Sequence, residues 1–349
     1  MPNTRPDTEF VGGVCSACIA YKQRPTVNWE ARAVELKQLL DKHHGECIVP
    51  SSGGKDSTYQ VVKLKEMGAR VIAVTATTCM LTSIGRRNID NLAAIADRTI
   101  EVTPNRRVRA GLNRLGLELV GDISWPEHVS IFTTPFRVAV DIDVPLIIYG
   151  ENPQREYGGP MSQIDTREMT QRWVSEFGGF LGLRPQDLIQ RTRTAKDMAE
   201  YMMPKVADIA RIGVEAHFLG QYLPWSSRGN AEISAQNGFY HPSFHPSTGN
   251  WWPFENLDNE MTGLHDWFMW LKYGYSRSTA QLSVDVRTGF LSREQAEEYL
   301  VDYGGHFPTR YIERYWNEIL DYIGLSQHNF RALEAQWRAG APDHSRPYG

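Results

Sequence analysis

The sequence predicts an α/β protein organised on a parallel sheet, and three observations predict it. Glu46–Pro50, Arg70–Ala76 and Pro145–Gly150 are short apolar runs that read as strands buried on both faces. Between the first two lies a stretch with Val61, Leu64 and Met67 at helical spacing, stopped by Gly68. The strand joins that helix through Ser51-Ser52-Gly53-Gly54-Lys55-Asp56-Ser57-Thr58, a glycine turn. Strand, helix, strand in this order implies right-handed crossovers, with any ligand lying beyond the carboxyl ends of the strands.

The glycine turn is the most informative stretch. Two adjacent glycines let the backbone curl until several N–H groups face one point, and the helix N-terminus adds partial positive charge there. Lys55 supplies a mobile cation, and Ser52, Ser57 and Thr58 supply hydroxyls. A Walker A loop needs four residues between its glycines and Lys-Ser/Thr after the second, which this is not. Ser-Gly-Gly-Lys-Asp-Ser instead resembles the PP-loop of the N-type ATP pyrophosphatases, the adenine nucleotide alpha hydrolase-like fold. That resemblance implies splitting of ATP into AMP and pyrophosphate to activate a carbonyl oxygen.

Totals limit the alternatives. A chain of 349 residues buries a large core, enough for two lobes. A net charge of −4 argues against a general nucleic-acid or membrane binder. No run of about 18 apolar residues is present, so no membrane span is expected. The first residues lack the apolar core of a signal peptide. Four cysteines in this length do not make a disulfide scaffold, and the cytoplasm is the expected compartment.

Taken in order, residues 1–27 read as an irregular segment carrying Cys15-Ser16-Ala17-Cys18, half of a zinc ribbon by spacing. Residues 28–230 read as the ATP-binding domain. Its first helix starts at the cap Asn28, carries Ala33, Leu36, Leu39 and Leu40 on one face, and ends by Gly45. Thr77, Thr78, Cys79 and Met80 follow the second strand directly and should border the nucleotide. A helix begins near Leu81, and Arg98–Val102 is a third strand. Basic residues cluster at Arg86, Arg87, Arg98, Arg106, Arg107, Arg109 and Arg114; most read as a solvated face. Arg86 and Arg87, close to the exit of the second strand, are candidates for an anionic substrate or the pyrophosphate. Gly121–His128 reads as a polar turn.

The strand at 145–150 ends in Gly150-Glu151-Asn152, then Glu156-Tyr157-Gly158-Gly159. Glu151 or Glu156 is a candidate Mg²⁺ ligand at this strand exit, because Mg²⁺ takes oxygen donors. Residues 162–210 read as mostly helical, and Ala216–Trp225 as the last strand and its exit loop. His217 sits inside that apolar run and reads as a hydrogen-bonded core histidine. Ser226–Asn259 reads as loop, and residues 231–349 as a mostly helical region for substrate or partner. There Lys272, Arg277 and Arg287 are candidates to converge on an anion.

Together these stretches resemble the N-acetyl sugar amidotransferases of surface-polysaccharide biosynthesis, including the lipopolysaccharide O-antigen. The resemblance is carried by Met1–Pro6, Gly13–Cys18, the Ser-Gly-Gly-Lys-Asp-Ser loop, Leu81–Asn88, Gly150–Asn152 with Glu156–Gly159, Tyr222–Trp225 and Leu271–Gly274. It implies conversion of the acetamido group of a nucleotide-linked sugar to an acetamidino group, with ATP, Mg²⁺ and ammonia from a separate glutaminase subunit. It implies catalytic roles for Lys55, Asp56, Arg86 and Glu151. ATP contacts fall to Ser52, Gly53, Gly54, Lys55, Asp56, Ser57, Thr58, Thr77 and Gly150. Substrate contacts fall to Arg87, Asn88, Asn152, Glu156, Tyr157, Lys272 and Arg277, and Mg²⁺ contacts to Asp56 and Glu151. The family pattern has a further Cys-x-x-Cys pair before the Met-Pro stretch, where this sequence starts, so Cys15 and Cys18 supply half the expected zinc ligands. Ala280 and Ser226 stand where the family tends to have Asp.

Two other readings compete. A PP-loop RNA-thiolating enzyme needs a sulfur-carrying cysteine near the loop, and Cys79 is its candidate. A non-catalytic ATP-binding subunit is the other, suggested by the incomplete zinc set and Ala280.

Overall fold

The computed structural model of the chain describes residues 4, 8–23, 26–152, 166–170, 173–174, 178–243, 249–303 and 305–339. Its first element corrects the expectation of an irregular N-terminus. Strands β1 (Phe10–Val11) and β2 (Val14–Cys15) form an antiparallel hairpin, and helix α1 (Ser16–Lys22) follows. The hairpin turns through Gly12 and Gly13 at φ +57° and +76°, a region glycine enters without a Cβ penalty.

Helix α2 (Trp29–Lys42) is capped as expected, with Ala31 N donating to Asn28 Oδ1 over 3.0 Å. It leads into β3 (Glu46–Pro50), α3 (Lys55–Glu66), β4 (Arg70–Ala76), α4 (Ser83–Ile95), β5 (Arg98–Val102), α5 (Arg106–Val120), α6 (Trp125–Asp141) and β6 (Leu146–Tyr149). Short helices α7 (Pro185–Arg191), α8 (Ala195–Met198) and α9 (Val206–Ile212) precede β7 (Glu215–Phe218).

The five strands β3–β7 pair in parallel in the order β5-β4-β3-β6-β7. The strand order therefore reverses at β3, with β4 on one side and β6 on the other, which opens a crevice beyond the carboxyl ends of those strands. Side chains alternate across the sheet. Ile48, Ile72, Val74 and Ile147 join a core with α6, while Cys47, Val49, Val71, Ala73 and Ile148 join one with α2 and α3. Both faces are covered, which is why these strands read as unbroken apolar runs.

Two sequence expectations fail here. Gly121–His128 is a turn only as far as Ser124; Pro126 falls in the first turn of α6, where its missing N–H costs nothing. Within Ser226–Asn259 lies helix α10 (Ser227–Gln236), capped by Ser226 Oγ, which accepts from Gly229 N over 3.0 Å. Ser226 thus serves as a helix cap.

The C-terminal part is helical as expected: α11 (Thr262–Tyr273), α12 (Arg277–Arg287), α13 (Arg293–Tyr303), α14 (Trp316–Ile323) and α15 (Gln327–Ala339). Phe268, Leu271, Ile319, Leu320 and Phe330 from these helices pack on Leu117 of α5 and on Met80. A separate cluster joins Ala231 and Phe239 to Trp252, Phe254, Leu257 and Tyr311. It presses residues 252–257 toward the turn between β3 and α3. Among the described residues no helix is long and apolar enough to cross a membrane.

Candidate functional site

A cavity of about 550 Å³ opens at the switch point between β3 and β6. Its floor is the β3–α3 turn, Ser51 to Ser57. Gly53 sits at φ +76°, and a Cβ there would come within 2.6 Å of Ile89 N and 2.8 Å of the Asn88 carbonyl carbon. Only glycine lets the turn lie this close to the α4 backbone. Gly53 N donates to Ser51 Oγ (3.1 Å) and Ser57 Oγ to Gly54 O (3.0 Å), which fixes the turn from inside.

Lys55 opens α3 and is almost wholly buried, at 3% exposure. Its Nζ lies 2.6 Å from Asp56 Oδ2 and is ion-paired with Glu255. Burial alone would lower the ammonium's pKa; the Asp56 and Glu255 carboxylates override it and hold the lysine well above its ordinary value. The Phe254 ring lies 5.7 Å from the ammonium. Helix α10 braces the site from outside: Asn230 Nδ2 donates to Asp56 Oδ1 (2.8 Å) and Ser234 Oγ to Lys55 O (2.6 Å).

The segment that delivers Glu255 is itself pinned. Thr82 N donates to Asp258 O (3.1 Å), Glu260 N to Met80 O (3.0 Å), and Thr82 Oγ1 to Leu257 O. A Cβ on Gly85 would fall 2.6 Å from Asp258 Cα, so α4 and this segment touch backbone to backbone. Further back, buried Asp285 receives Arg228 through both nitrogens (2.9 and 2.6 Å) and the Nε1 of Trp251 and Trp252 (2.7 and 3.0 Å). That knot ties α10, α12 and the 250–254 loop together. On the cavity wall, burial raises the Asp258 carboxyl to about 6.

At the β6 exit Gly150 and Glu151 line the same cavity. Gly150 has no room for a side chain, since a Cβ would sit 2.7 Å from the Trp225 ring. The lining also includes Ser124, Glu127, His128, His265 and Arg277.

The structure therefore brings together Ser52, Gly53, Gly54, Lys55, Asp56, Ser57, Asn88, Gly150, Glu151 and Arg277. Asn88 lines the cavity while exchanging hydrogen bonds with the Tyr240 backbone, both 2.8 Å. Arg277 is held by Asp266 through two bonds of 2.8 and 2.6 Å. Thr58 is fully buried in α3 behind the turn. Thr77 N donates to Val102 O (3.0 Å), and it is the neighbouring Thr78 that lines the cavity.

Other candidates stand outside that lining. Arg86 pairs with Glu101 (2.8 and 2.9 Å) and Asp90 (2.7 Å) on a partly exposed face. Arg87 covers the Tyr240 ring at 3.9 Å. Lys272 Nζ donates to Val120 O (3.1 Å), Arg277 turns to Asp266 and Arg287 Nη1 lies 3.4 Å from Ser283 Oγ, so the three cations do not converge. Asn152 Nδ2 lies 3.4 Å from Thr166 O. Glu156 and Tyr157 lie outside the described residues. Arg109, expected on a solvated face, is buried and bonds Tyr201, Glu127 and Ser130 (2.8, 2.9 and 2.7 Å). His217 is the core histidine expected, 3.0 Å from Tyr222 Oη.

Cys15 and Cys18 face one another at the start of α1. A hydrogen bond from Cys18 draws the Cys15 thiol down and pushes its own up. Two thiols are half of a tetrahedral zinc set, and no third His, Cys, Asp or Glu joins them among the described residues. Cys79 is outside the cavity lining; its carbonyl accepts from Arg106. Sequence reasoning missed Glu255, Asp258, Asn230, Ser234 and the Asp122, His128 and His265 group.

Residues 243–345 match the family model described as LPS biosynthesis protein WbpG-like, C-terminal domain. The matched stretch carries Glu255, Asp258, His265 and Arg277, and is similar to a domain of lipopolysaccharide-biosynthesis proteins. No curated protein matches the chain.

Proposed function

We propose that this chain is an ATP-dependent amidotransferase that converts the acetamido group of a nucleotide-linked sugar to an acetamidino group, releasing AMP and pyrophosphate. One observation carries the reading. A buried lysine stands at a helix N-terminus, over a turn in which Gly53 leaves no room for a side chain, at the switch point of a parallel sheet. Such a place is built for a polyanion, and the match to a lipopolysaccharide-biosynthesis family makes a nucleotide-linked sugar the fitting partner substrate.

In this reading the turn Ser52–Ser57 takes the β- and γ-phosphates, and Lys55 exchanges Glu255 for the phosphates and neutralises the leaving pyrophosphate. Asp56 and Glu151 are the oxygen donors suited to Mg²⁺, which supplies charge neutralisation on the phosphates when bound. The acetamido oxygen attacks the α-phosphorus, the bond to pyrophosphate breaks, and an O-adenylyl imidate forms. Ammonia then adds to the imidate carbon and gives up a proton, and AMP leaves with its oxygen to yield the amidine. The protein's part is positioning and charge stabilisation, with Gly150 on the ATP side and Asn88 and Arg277 shaping the sugar side.

A separate glutaminase subunit supplies the ammonia in this proposal. Burial pushes the Cys47 thiol up to about 12, so it is no nucleophile, and Cys79 stands off the cavity. The same position of Cys79 takes support from the RNA-thiolation reading. The test is to incubate the protein with ATP, Mg²⁺, ammonium and a set of UDP-linked N-acetyl sugars, and to follow the sugar by mass. Conversion of acetamido to acetamidino is expected with ammonium and not with glutamine alone. ATP turnover without sugar modification would refute the proposal.

A further inference from the structure

Asp122, His128 and His265 come from three places in the chain and meet on the cavity wall. His128 Nδ1 lies 3.0 Å from Asp122 Oδ2, and His265 Nδ1 lies 2.7 Å from Asp122 Oδ1. All three donor atoms fall within 4.8 Å of one another. Asp122 is buried at 2% exposure and is steadied by Ser124 N, which donates to Oδ1 over 2.8 Å. Gly116 makes this possible: a Cβ there would lie 2.5 Å from Asp122 O, so the turn rests directly on α5. The two histidines line the cavity, so one side of the group faces the space where substrate would lie.

We infer that Asp122, His128 and His265 form a site for a first-row divalent metal ion, with zinc the best fit and one coordination position turned to the cavity. Two features of the geometry suit an ion. His128 and His265 each turn Nδ1 toward Asp122, one at 3.0 Å from Oδ2 and the other at 2.7 Å from Oδ1, so the same ring atom of both faces one carboxylate. The second feature is the ring arrangement. Two imidazoles bound through Nδ1 to one tetrahedral ion, with bonds of about 2.05 Å, hold their centroids about 5.2 Å apart. The observed centroids are 5.3 Å apart, with the rings at 81°. Seating the ion requires the nitrogen–oxygen pairs to spread by only about half an ångström from hydrogen-bond length.

The donor set is two nitrogens and one oxygen, the composition of catalytic rather than structural zinc sites, which keep a fourth position open. It differs in kind from the all-oxygen carboxylates Asp56 and Glu151, so the two sites select different ions. The surrounding charge is compatible. Glu127 and Asp258 line the same cavity, Arg277 is neutralised by Asp266, and Lys272 is tied to Val120 O.

The test uses the full chain stripped with a chelator and titrated with Co²⁺, read by the visible absorption of tetrahedral cobalt and by competition with Zn²⁺. One equivalent is expected, with an N/O-type spectrum lacking thiolate charge transfer. His265→Ala and His128→Ala should each weaken binding by at least about 100-fold, the upper range that changes around a metal site cost. The Cys15→Ser/Cys18→Ser double variant should bind like the parent. Absence of the cobalt spectrum in the parent, its persistence in both histidine variants, or its loss in the cysteine variant would overturn the assignment. Should the histidine variants fail to fold, X-ray absorption of the zinc-loaded parent decides: two imidazoles and no sulfur support the site, and a sulfur shell overturns it. None of these readouts depends on ATP or sugar, so the site and the proposed reaction stand or fall separately.

Discussion

The Glu255 carboxylate meets the Lys55 ammonium at the mouth of α3, and both groups are largely shielded from water. A lysine so placed already has its counter-ion in the absence of ligand. In the proposed function the phosphates take the place that Glu255 holds beside Lys55, and must displace it. Replacing Glu255 with Gln removes the competitor while keeping the side chain's volume. ATP affinity without Mg²⁺ should then rise about three- to tenfold, since about 1.4 kcal/mol of lost competition corresponds to a factor of ten. Isothermal titration of E255Q against the parent checks this; unchanged or weaker binding would show that Glu255 does not compete.

Lys55→Ala removes the one buried cation of the turn. In oxyanion-type sites the loss of one key donor costs roughly 100- to 1,000-fold in rate, and pyrophosphate release should fall by that much or more. Asp56 and Glu255 would also lose the cation they share, so the variant's melting temperature should drop. Calorimetry alongside the pyrophosphate assay separates the two effects.

Gly53→Ala places a methyl group 2.6 Å from Ile89 N, in a backbone conformation that L-residues avoid. The clash is with backbone and cannot be relieved by a rotamer change. Destabilisation of about 1–3 kcal/mol is expected, with ATP binding weakened at least tenfold. Denaturant unfolding and titration of the same sample measure both.

Asp258 gives a pH signature. Burial raises its carboxyl from the usual range to about 6, so the folded protein holds a proton there that the unfolded chain has released. Stability from this residue is full below about pH 4 and declines as pH rises to about 6, where the loss levels off. Asp258→Asn should therefore be more stable than the parent at pH 7 by about 1–3 kcal/mol, and equal to it near pH 4. Chemical denaturation at the two pH values measures the difference.

Much of the sheet and the floor of the site could be read from the sequence, because both are written locally. Ile48, Val49, Val71, Ile72 and Val74 are apolar without interruption since parallel strands are covered on both faces. The turn at Gly53 declares itself through two glycines and a lysine between a strand and a helix. What could not be read is the part of the site made by contacts distant in sequence. Helix α10 hides because Ser227-Arg228-Gly229-Asn230-Ala231-Glu232-Ile233-Ser234 has hardly any apolar stripe; it buries Asn230 and Ser234 against α3 through hydrogen bonds instead. Glu255 looks like any loop glutamate until the Phe254 and Leu257 packing presses it onto Lys55. Arg86 and Lys272 show the converse: a cation near a strand exit or in a helix reads as a ligand group, and its partners in the fold, Glu101 and the Val120 carbonyl, are distant in sequence. The start of α6 was misread because Trp125-Pro126 suggested a turn, although a proline fits the first turn of a helix well.

The account rests on the glycine turn at Gly53 holding a triphosphate for AMP transfer. The most direct measurement is AMP and pyrophosphate formation from ATP by the parent protein and by Lys55→Ala, with a UDP-linked N-acetyl sugar and ammonium present. The parent should form both in a one-to-one ratio, dependent on the sugar, and the variant should form them at least about 100-fold more slowly. Formation of ADP and phosphate instead, or undiminished AMP release by the variant, would contradict it.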